Sequence, residues 1–449
     1  MPTEYMTKAA AELVDVEIAE SAMTVVSDDP LANGSETKKR YTVLLSAFAC
    51  LPGYGTESGI GWHWALHLGR AGHTVYVLTR ATNRERIERY DAAALPTTLH
   101  FVYVTAPFER CFKRNDLGGY YLLWQISAYK QARKLLRKHK FDVVHHVTYG
   151  SLHRLSFLTM LDCPFVFGPV SGGNTTPTAM LPIFGHARKA EQLRNLQTAM
   201  LPFSPVHRLL LKKMHVVIAA NTETGMLAYR CGSKHVELQF DTGLADDFAV
   251  PRYKQHRRSG TVLKMIWTGA LRVRKGLVLA LDALVQVTGD VELTIIGPAE
   301  MQDANQMIRE RGLEAKARWI GKVPYSEMMS WYLDSDCMLF TSMRDALGSQ
   351  LVEASGLGLP IICFDHQGAG DYVTDDMGFK VTVTNPEETV TKLAQAIDNF
   401  AELSESEWQR LSQGSKARSK LVIWPNRITQ AESFYEKAIE NAKRHSSVG

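Results

Sequence analysis

The 449-residue sequence contains no apolar run of 18 residues, so it holds no candidate for a helix that crosses a bilayer. It has only six cysteines (Cys50, Cys111, Cys163, Cys231, Cys337 and Cys363), and no two form a C-x-x-C pair. Several fall in apolar, strand-like runs, a pattern of reduced, packed thiols in a cytoplasmic protein rather than a disulfide framework or a metal knuckle. The excess of positive charge is small, a formal +4, which argues against nucleic acid as a partner. The N-terminus lacks the basic start and apolar core of a signal peptide. Residues 1–40 are acidic and rich in Ala and Ser, and read as a disordered arm ending in Lys38-Lys39-Arg40, with a helical-looking piece from Ala9 to Met23. No internal repeat shows. With 45% apolar and 22% charged residues, what remains has the composition of an ordinary globular protein large enough for two cores.

The richest stretch runs from Trp331 to Val381. It reads as a buried strand (CMLF), a loop with Arg344 and Asp345, a helix carrying Glu353, a Gly-Leu-Pro stop and a second buried strand (IICF). Continuous apolar runs bounded by Gly and Pro predict strands buried on both faces, hence a parallel sheet covered by helices. Ligands of such sheets sit outside the carboxyl ends of the strands. Asp345 falls there, with Glu353 about two turns into the helix, and the backbone N–H groups of Ala346 to Gln350 at the helix start suit a phosphate. Carboxylates bind hydroxyls, and hydroxyls beside phosphates point to a sugar nucleotide. The bland alternatives are a solvated helix residue for Glu353 and a helix N-cap for Asp345.

Asp345-x7-Glu353 followed by EASGLGLPII resembles the acid-x7-Glu signature of retaining glycosyltransferases of the GT-B fold, glycosyltransferase family 4. The commoner signature opens with Glu; Arg344-Asp345-Ala346-Leu347-Gly348 is similar to the RDSGG of one subgroup. The resemblance implies that Asp345 contacts the donor sugar, that Glu353 binds the ribose hydroxyls, and that the backbone of Ala346, Leu347, Gly348 and Ser349 holds the diphosphate.

Elsewhere the motifs follow in family order. YTVLLSAFACLPGYGTESGIGWHWALHLGRAGHTVYVLTR reads as strand (Val43–Phe48), Gly-rich loop, helix and strand (Val75–Leu78), a right-handed βαβ unit. Ile60, Trp64 and Leu68 give its helix one apolar stripe. The loop is not a clean dinucleotide fingerprint, and Arg80 stands near where an NAD-binding acid would be expected. GTESGIGW does resemble the GSExGxGW loop of the same subgroup, which implies a donor contact at Gly55 and acceptor-side positions at Glu57, Ser58 and Gly59. A helix follows with Leu122, Ile126, Tyr129 and Ala132 or Arg133 along one side and a basic end (Arg133, Lys134, Arg137, Lys138 and Lys140), either a solvated face or a contact for anionic lipid. FDVVHHVTYG ends a strand at His145 and His146. Successive strand residues face opposite ways, which allows one of the two to face a ligand; His146 is the choice, with His145 turned inward. No third ligand is spaced nearby, so a metal is not expected there. FVFGPVSGG resembles the family's GPVGGG and adds Asn174 to the acceptor side. Residues Pro182 to Met214 are basic and apolar, either an amphipathic helix on a membrane surface or helices of the acceptor domain.

TGALRVRKG resembles the family's GRLxxxKG turn around the donor diphosphate, with Gly269, Lys275 and Gly276 in place. The usual arginine is Ala270, and Arg272 or Arg274 could serve instead, since guanidinium forks bind phosphate bidentately. The backbone near Lys322 and Val323 is implied to hold the base. Met329, Tyr332 and Leu333 read as a core stripe, and Asp334-Ser335-Asp336 as a strand cap rather than a metal motif.

The expected architecture is α/β, of the GT-B type: two doubly wound Rossmann-like domains facing across a cleft. The expected divisions are the arm 1–40, an acceptor-side domain 41–245, a linker 246–262, a nucleotide-sugar domain 263–425 and a helix 426–449 crossing back to the first domain. The resemblance implies retaining transfer from a nucleotide-diphosphate sugar to a glycan or lipid-linked acceptor, with no metal or other cofactor. Partners would be the nucleotide sugar and the acceptor, with room for peripheral contact with the inner membrane surface. Alternatives are a weak or inactive sugar-nucleotide-binding protein of this fold, or an epimerase of nucleotide sugars.

Overall fold

Two parallel sheets organise the chain, each flanked by the helices that connect its strands. The computed structural model describes residues 39–54, 57–107, 117–246, 248, 262–299 and 303–446. Residues 1–38 of the expected arm, Gly55, and nearly all of the expected linker lie outside the described residues. The chain divides into two compact units. The first takes residues 1–173, 200–241 and 424–449; the second takes 174–199 and 242–423.

The first unit is built on seven parallel strands: β1 (Thr42–Ser46), β2 (Thr74–Arg80), β3 (Leu99–Val104), β4 (Val143–His146), β5 (Phe165–Val170), β6 (Val216–Ala219) and β7 (Val236–Leu238). Their order across the sheet is β3-β2-β1-β4-β5-β6-β7, all parallel. Chain direction across the sheet reverses between β1 and β4, and the carboxyl ends of that pair are where such a sheet receives ligands. Strands β4, β5 and β6 are buried at every residue, as their unbroken apolar character predicts.

Two helices cover this sheet early in the chain. In α1 (Glu57–Arg70), Trp64 and Leu68 are fully buried. In α2 (Leu117–Leu136) the buried stripe is Tyr121, Trp124, Ala128, Ala132 and Leu135. The expected side was wrong here: Leu122 and Ile126 are exposed. Mixed aromatic and aliphatic residues on α2 allow two apolar stripes, and the larger side chains, Tyr121 and Trp124, took the interior.

Among the described residues, the remaining α-helices of eight residues or more are α3 (Arg188–Met200), α4 (Pro205–Lys212), α5 (Thr222–Arg230), α6 (Leu277–Gln286), α7 (Ser349–Gly356), α8 (Pro386–Ala401), α9 (Glu405–Ser419) and α10 (Trp424–Ser446). Helix α10 starts at Trp424 and belongs to the first unit. Its Trp424, Ile428, Ala431, Tyr435 and Ala438 repeat at alternating steps of four and three, one continuous face. That face packs in one cluster with Val43, Val143 and Val216 of the sheet.

His145 is part of this joint. It is fully buried, with Nε2 2.8 Å from the Gly168 carbonyl and Nδ1 2.8 Å from the Tyr435 hydroxyl. A carbonyl only accepts, so Nε2 carries the proton and Nδ1 accepts from Tyr435. Burial pushes the imidazole down to about 3, which keeps it neutral.

The second unit holds β8 (Leu263–Thr268), β9 (Val291–Ile296), β10 (Ala317–Gly321), β11 (Cys337–Phe340), β12 (Ile361–Phe364) and β13 (Gly378–Val381). Their order is β10-β9-β8-β11-β12-β13, again all parallel, with the reversal between β8 and β11. Asp336 is structural: its carboxylate accepts the Lys264 N–H at 3.0 Å, and its carbonyl accepts the Trp408 indole N–H at 2.8 Å. Residues 174–199 fall in this unit, not in the 41–245 domain expected from chain order. The reason is packing: Met180 and Phe184 join the core cluster of Leu263, Leu277 and Leu393. Among the described residues, no helix is long and apolar enough to cross a membrane.

Tyr435→Phe should remove the single donor to His145 Nδ1 and leave a buried acceptor unmet, at a cost of about 1–3 kcal/mol. Denaturant unfolding followed by tryptophan fluorescence measures it; an unchanged midpoint contradicts the joint described here.

Candidate active site

At the reversal point of the second sheet, two loops meet. One leaves β8 and runs through Gly269 to the start of α6. The other leaves β11 and runs through Asp345 to the start of α7. Gly276 caps α6 with φ of 68°, and a Cβ there would stand 2.0 Å from the Thr341 carbonyl oxygen. Only glycine lets the first loop lie this close to the second. The closeness puts Arg274 and Lys275 directly against Asp345.

Arg274 donates from one guanidinium nitrogen to Asp345 Oδ1 at 2.9 Å and to the Arg344 carbonyl at 2.8 Å. The Lys275 ammonium pairs with Asp345 Oδ2, which also accepts from the Ser342 hydroxyl at 2.8 Å. Lys275 is 8% exposed, so it is no surface lysine. Burial acts to raise the Asp345 pKa, but the Lys275 and Arg274 cations together hold it below the ordinary value. Arg272, the other candidate cation, is exposed. The N–H of Asp345 donates to Gln367 Oε1 at 3.0 Å, and Gln367 Nε2 donates to the Thr175 carbonyl at 2.9 Å. Gln367 has a φ of 54°, a strained value for a side chain of this kind.

The helix after Asp345 begins later than the sequence implied. α7 starts at Ser349, one turn before Glu353, and its N-cap is Gly348 with φ of 105° and no side-chain cap. Asp345 is therefore not the cap. Leu347 is fully buried, and Ala346 sits beside Gly368, where a Cβ would meet the Ala346 carbonyl at 1.6 Å. The first N–H groups of α7 have no partner within the helix, as for any helix start.

Glu353 is 6% exposed and held between two tyrosines. Tyr325 donates to its Oε1 at 3.1 Å and Tyr332 to its Oε2 at 2.9 Å. Burial pushes its pKa from 4.5 up to about 7, against the lowering effect of both hydroxyls. Tyr332 is thus more than the core residue the sequence suggested. Periodicity marks which side of a helix is buried, not which buried hydroxyl meets a carboxylate 21 residues away. Tyr325 lies two residues past Val323, so the loop of exposed Lys322 and half-buried Val323 leads directly to Glu353.

The first unit holds the other expected residues. Glu57 opens α1, and its Oε1 accepts the Tyr149 N–H at 2.5 Å. Tyr149 has a φ of 58°, the other non-glycine residue with positive φ among those described. The Ser58 carbonyl accepts the Leu51 N–H at 2.9 Å, and Gly59 is buried. His146 departs from expectation. It is 1% exposed, its Nε2 lies 3.0 Å from the Tyr121 hydroxyl, and burial lowers its pKa to about 4. Because both faces of β4 are covered, turning away from His145 does not bring a side chain to solvent. Asn174 also departs: it belongs to the second unit, and its side-chain amide donates to the Asp345 carbonyl at 3.1 Å. Sequence reading missed Ser342, Gln367 and Tyr325, for which no local pattern gave a signal.

Comparisons with known proteins bear on the family and the fold. Residues 252–414 match the family described as Glycosyl transferases group 1, and residues 62–226 match Glycosyltransferase Family 4. A similar curated protein is the phosphatidylinositol N-acetylglucosaminyltransferase GPI3 subunit of Saccharomyces cerevisiae, 25% identical over 147 residues, or 32% of each chain. The chain thus spans about a third of the length of that relative. A glycosyltransferase from Rickettsia africae superposes with a TM-score of 0.61 at 15% identity, covering 90% of this chain and 99% of the other. The Anabaena protein Alr3699/HepE, solved in complex with UDP and glucose, gives 0.54 at 15% identity, covering 88% and 100%. These two structures speak for the fold alone. Two family matches, at residues 62–226 and 252–414, make the chain a member of the GT-B glycosyltransferases of family 4.

Proposed function

We propose that the protein moves a sugar from a nucleotide-diphosphate sugar to a glycan or lipid-linked acceptor, with retention at the anomeric carbon. The observation that carries this is the cation pair Arg274 and Lys275, held by Asp345 at the carboxyl ends of β8 and β11. Carboxylates cannot neutralise a diphosphate; a guanidinium and an ammonium can. The donor's diphosphate would take both cations and the first N–H groups of α7. Asp345, released from them, would turn to the hydroxyls of the donor sugar. Glu353, already an acceptor for two hydroxyls, would take those of the ribose. The expected arginine is absent at Ala270, and Arg274 fills its role four residues on.

In the reaction the acceptor oxygen attacks the anomeric carbon on the face the diphosphate leaves. The bond to the diphosphate oxygen breaks, and the acceptor's proton passes to the departing diphosphate. Arg274 and Lys275 stabilise the charge that develops there, a contribution typically worth two to three orders of magnitude in rate (roughly 3–4 kcal/mol). These cations do the work a metal does elsewhere, so we assign no metal or other cofactor. The lipid-linked class of acceptor is supported by the name of the yeast relative, a phosphatidylinositol N-acetylglucosaminyltransferase subunit. A cytoplasmic enzyme in peripheral contact with the inner membrane surface follows from that class.

Turnover of UDP-, GDP- and ADP-sugars, assayed as release of the nucleoside diphosphate, should occur with one of the three and persist in EDTA. Loss of turnover in EDTA contradicts the metal-free assignment. Binding without turnover of any donor favours a binding protein, and release of an epimerised sugar without acceptor favours an epimerase.

Glu353 adds a stability prediction. Its folded pKa lies above the ordinary 4.5, at about 7. In that window the folded chain keeps a proton that the unfolded chain has lost, so stability falls as pH rises through it. Glu353→Gln should flatten the decline by about 1–3 kcal/mol between about pH 5 and 7. Parallel unfolding profiles for the two proteins would contradict the perturbed carboxyl.

A further inference from the structure

The two carboxylate oxygens of Glu353 have unequal surroundings. Oε2 accepts from Tyr332, which is fully buried and whose hydroxyl stands 3.5 Å from that of Thr268, the last residue of β8. Oε1 accepts from Tyr325, which is only half-buried. Tyr332 belongs to the short helix Met328–Leu333, and Tyr325 opens the turn just before it. Both rings pack on one buried side chain, Phe248, at 5.7 Å for Tyr325 and 6.2 Å for Tyr332. One apolar contact thus steadies two phenols, and each phenol meets a different oxygen of the same carboxylate.

The arithmetic of acceptor sites then limits what Glu353 can bind. An ionised carboxylate offers about four, two on each oxygen. The tyrosines take one on each oxygen, which leaves one on each, on a side chain almost closed off from water. Two acceptors side by side suit two neighbouring hydroxyls better than one. A protonated carboxyl would not serve, because one of its oxygens becomes a donor. Burial works toward that protonated state, and the two tyrosine hydroxyls work against it. Of the two, Tyr332 is committed to the core, whereas Tyr325 stands at the edge of the site. Its ring would pack on Phe248 equally well without the hydroxyl, so the hydroxyl is not needed for packing.

We propose that Tyr325 is a positioning residue for the nucleotide. By holding Glu353 Oε1 it keeps the carboxylate an acceptor for both ribose hydroxyls together, and so commits the protein to ribonucleoside rather than deoxyribonucleoside diphosphate donors. The inference rests on the nucleotide-sugar reading above and adds to it the class of nucleoside. A deoxyribose would leave one acceptor of a buried carboxylate unmet, and a site built for a hydroxyl rejects the analogue that lacks it.

The test is isothermal titration at neutral pH. UDP, GDP and ADP are titrated into the full-length wild type, and the one that binds is compared with its 2′-deoxy form. The wild type should prefer the ribonucleotide by at least about tenfold. Tyr325→Phe, which keeps the ring, should cut that preference to less than about threefold, mainly by weakening the ribonucleotide. A residue that only supported the fold would lower both affinities alike, so an undiminished preference in the variant overturns the proposal. In a Glu353→Gln background the same substitution should change the preference by less than about twofold, since its effect passes through the carboxylate. A full effect there gives Tyr325 a direct contact with the nucleotide and overturns the positioning role. Equal binding of the two forms by the wild type overturns this inference alone, whereas no binding of any of the three diphosphates defeats the proposed function together with it.

Discussion

The second unit is arranged around one ion cluster: Asp345 between the Arg274 guanidinium and the Lys275 ammonium. A cluster of this kind is a poor source of stability, because taking the charges out of water costs about what their attraction returns. Lys275 and Asp345 are nevertheless largely buried, and the fold spends a left-handed glycine, Gly276, on bringing their loops together. The proposed function accounts for the arrangement. Asp345 offsets one of the two positive charges and holds both cations in position. A diphosphate, carrying more charge than one carboxylate, can take its place at little cost in reorganisation.

The same loop is held from several sides. Ser342 meets the carboxylate, Gln367 meets the backbone N–H, and Asn174 meets the carbonyl. Gln367 does so with a positive φ, and Tyr149 of the first unit carries the same kind of strain while bonded to Glu57. Strain at these two positions marks backbone that the surrounding structure forces into place; Tyr149 lies in the loop after β4, and Gln367 opens the short helix after β12. Neither residue stands in the core of a sheet, where strain would serve only packing.

Much of this was legible in the sequence, and the parts that were not share a cause. Buried strands announce themselves by unbroken apolar runs, so β11 and β12 were bounded correctly as CMLF and IICF. Asp345, Glu353 and Lys275 were singled out by the strand-loop-helix pattern and by resemblance to family motifs, and the structure places them at strand ends and helix starts of the second unit. What failed was pairing over distance. Glu353 meets Tyr332 across 21 residues, Asp345 meets Gln367 across 22 and Asn174 across 171, and no local period encodes such contacts. His146 failed for a related reason. Alternation along a strand separates its two faces, but says nothing about whether a helix covers each; Tyr121 of α2 covers this one. The placement of residues 174–199 with the second unit is a fact of packing by Met180 and Phe184, invisible to a reading that follows chain order.

The central claim is that Asp345 occupies the cations that a donor diphosphate uses. Isothermal titration of UDP into the wild type and into Asp345→Asn tests it directly. The account predicts tighter UDP binding by Asp345→Asn, by about tenfold, since the competing carboxylate charge is gone while its shape remains. Weaker or unchanged UDP binding by that variant would contradict it.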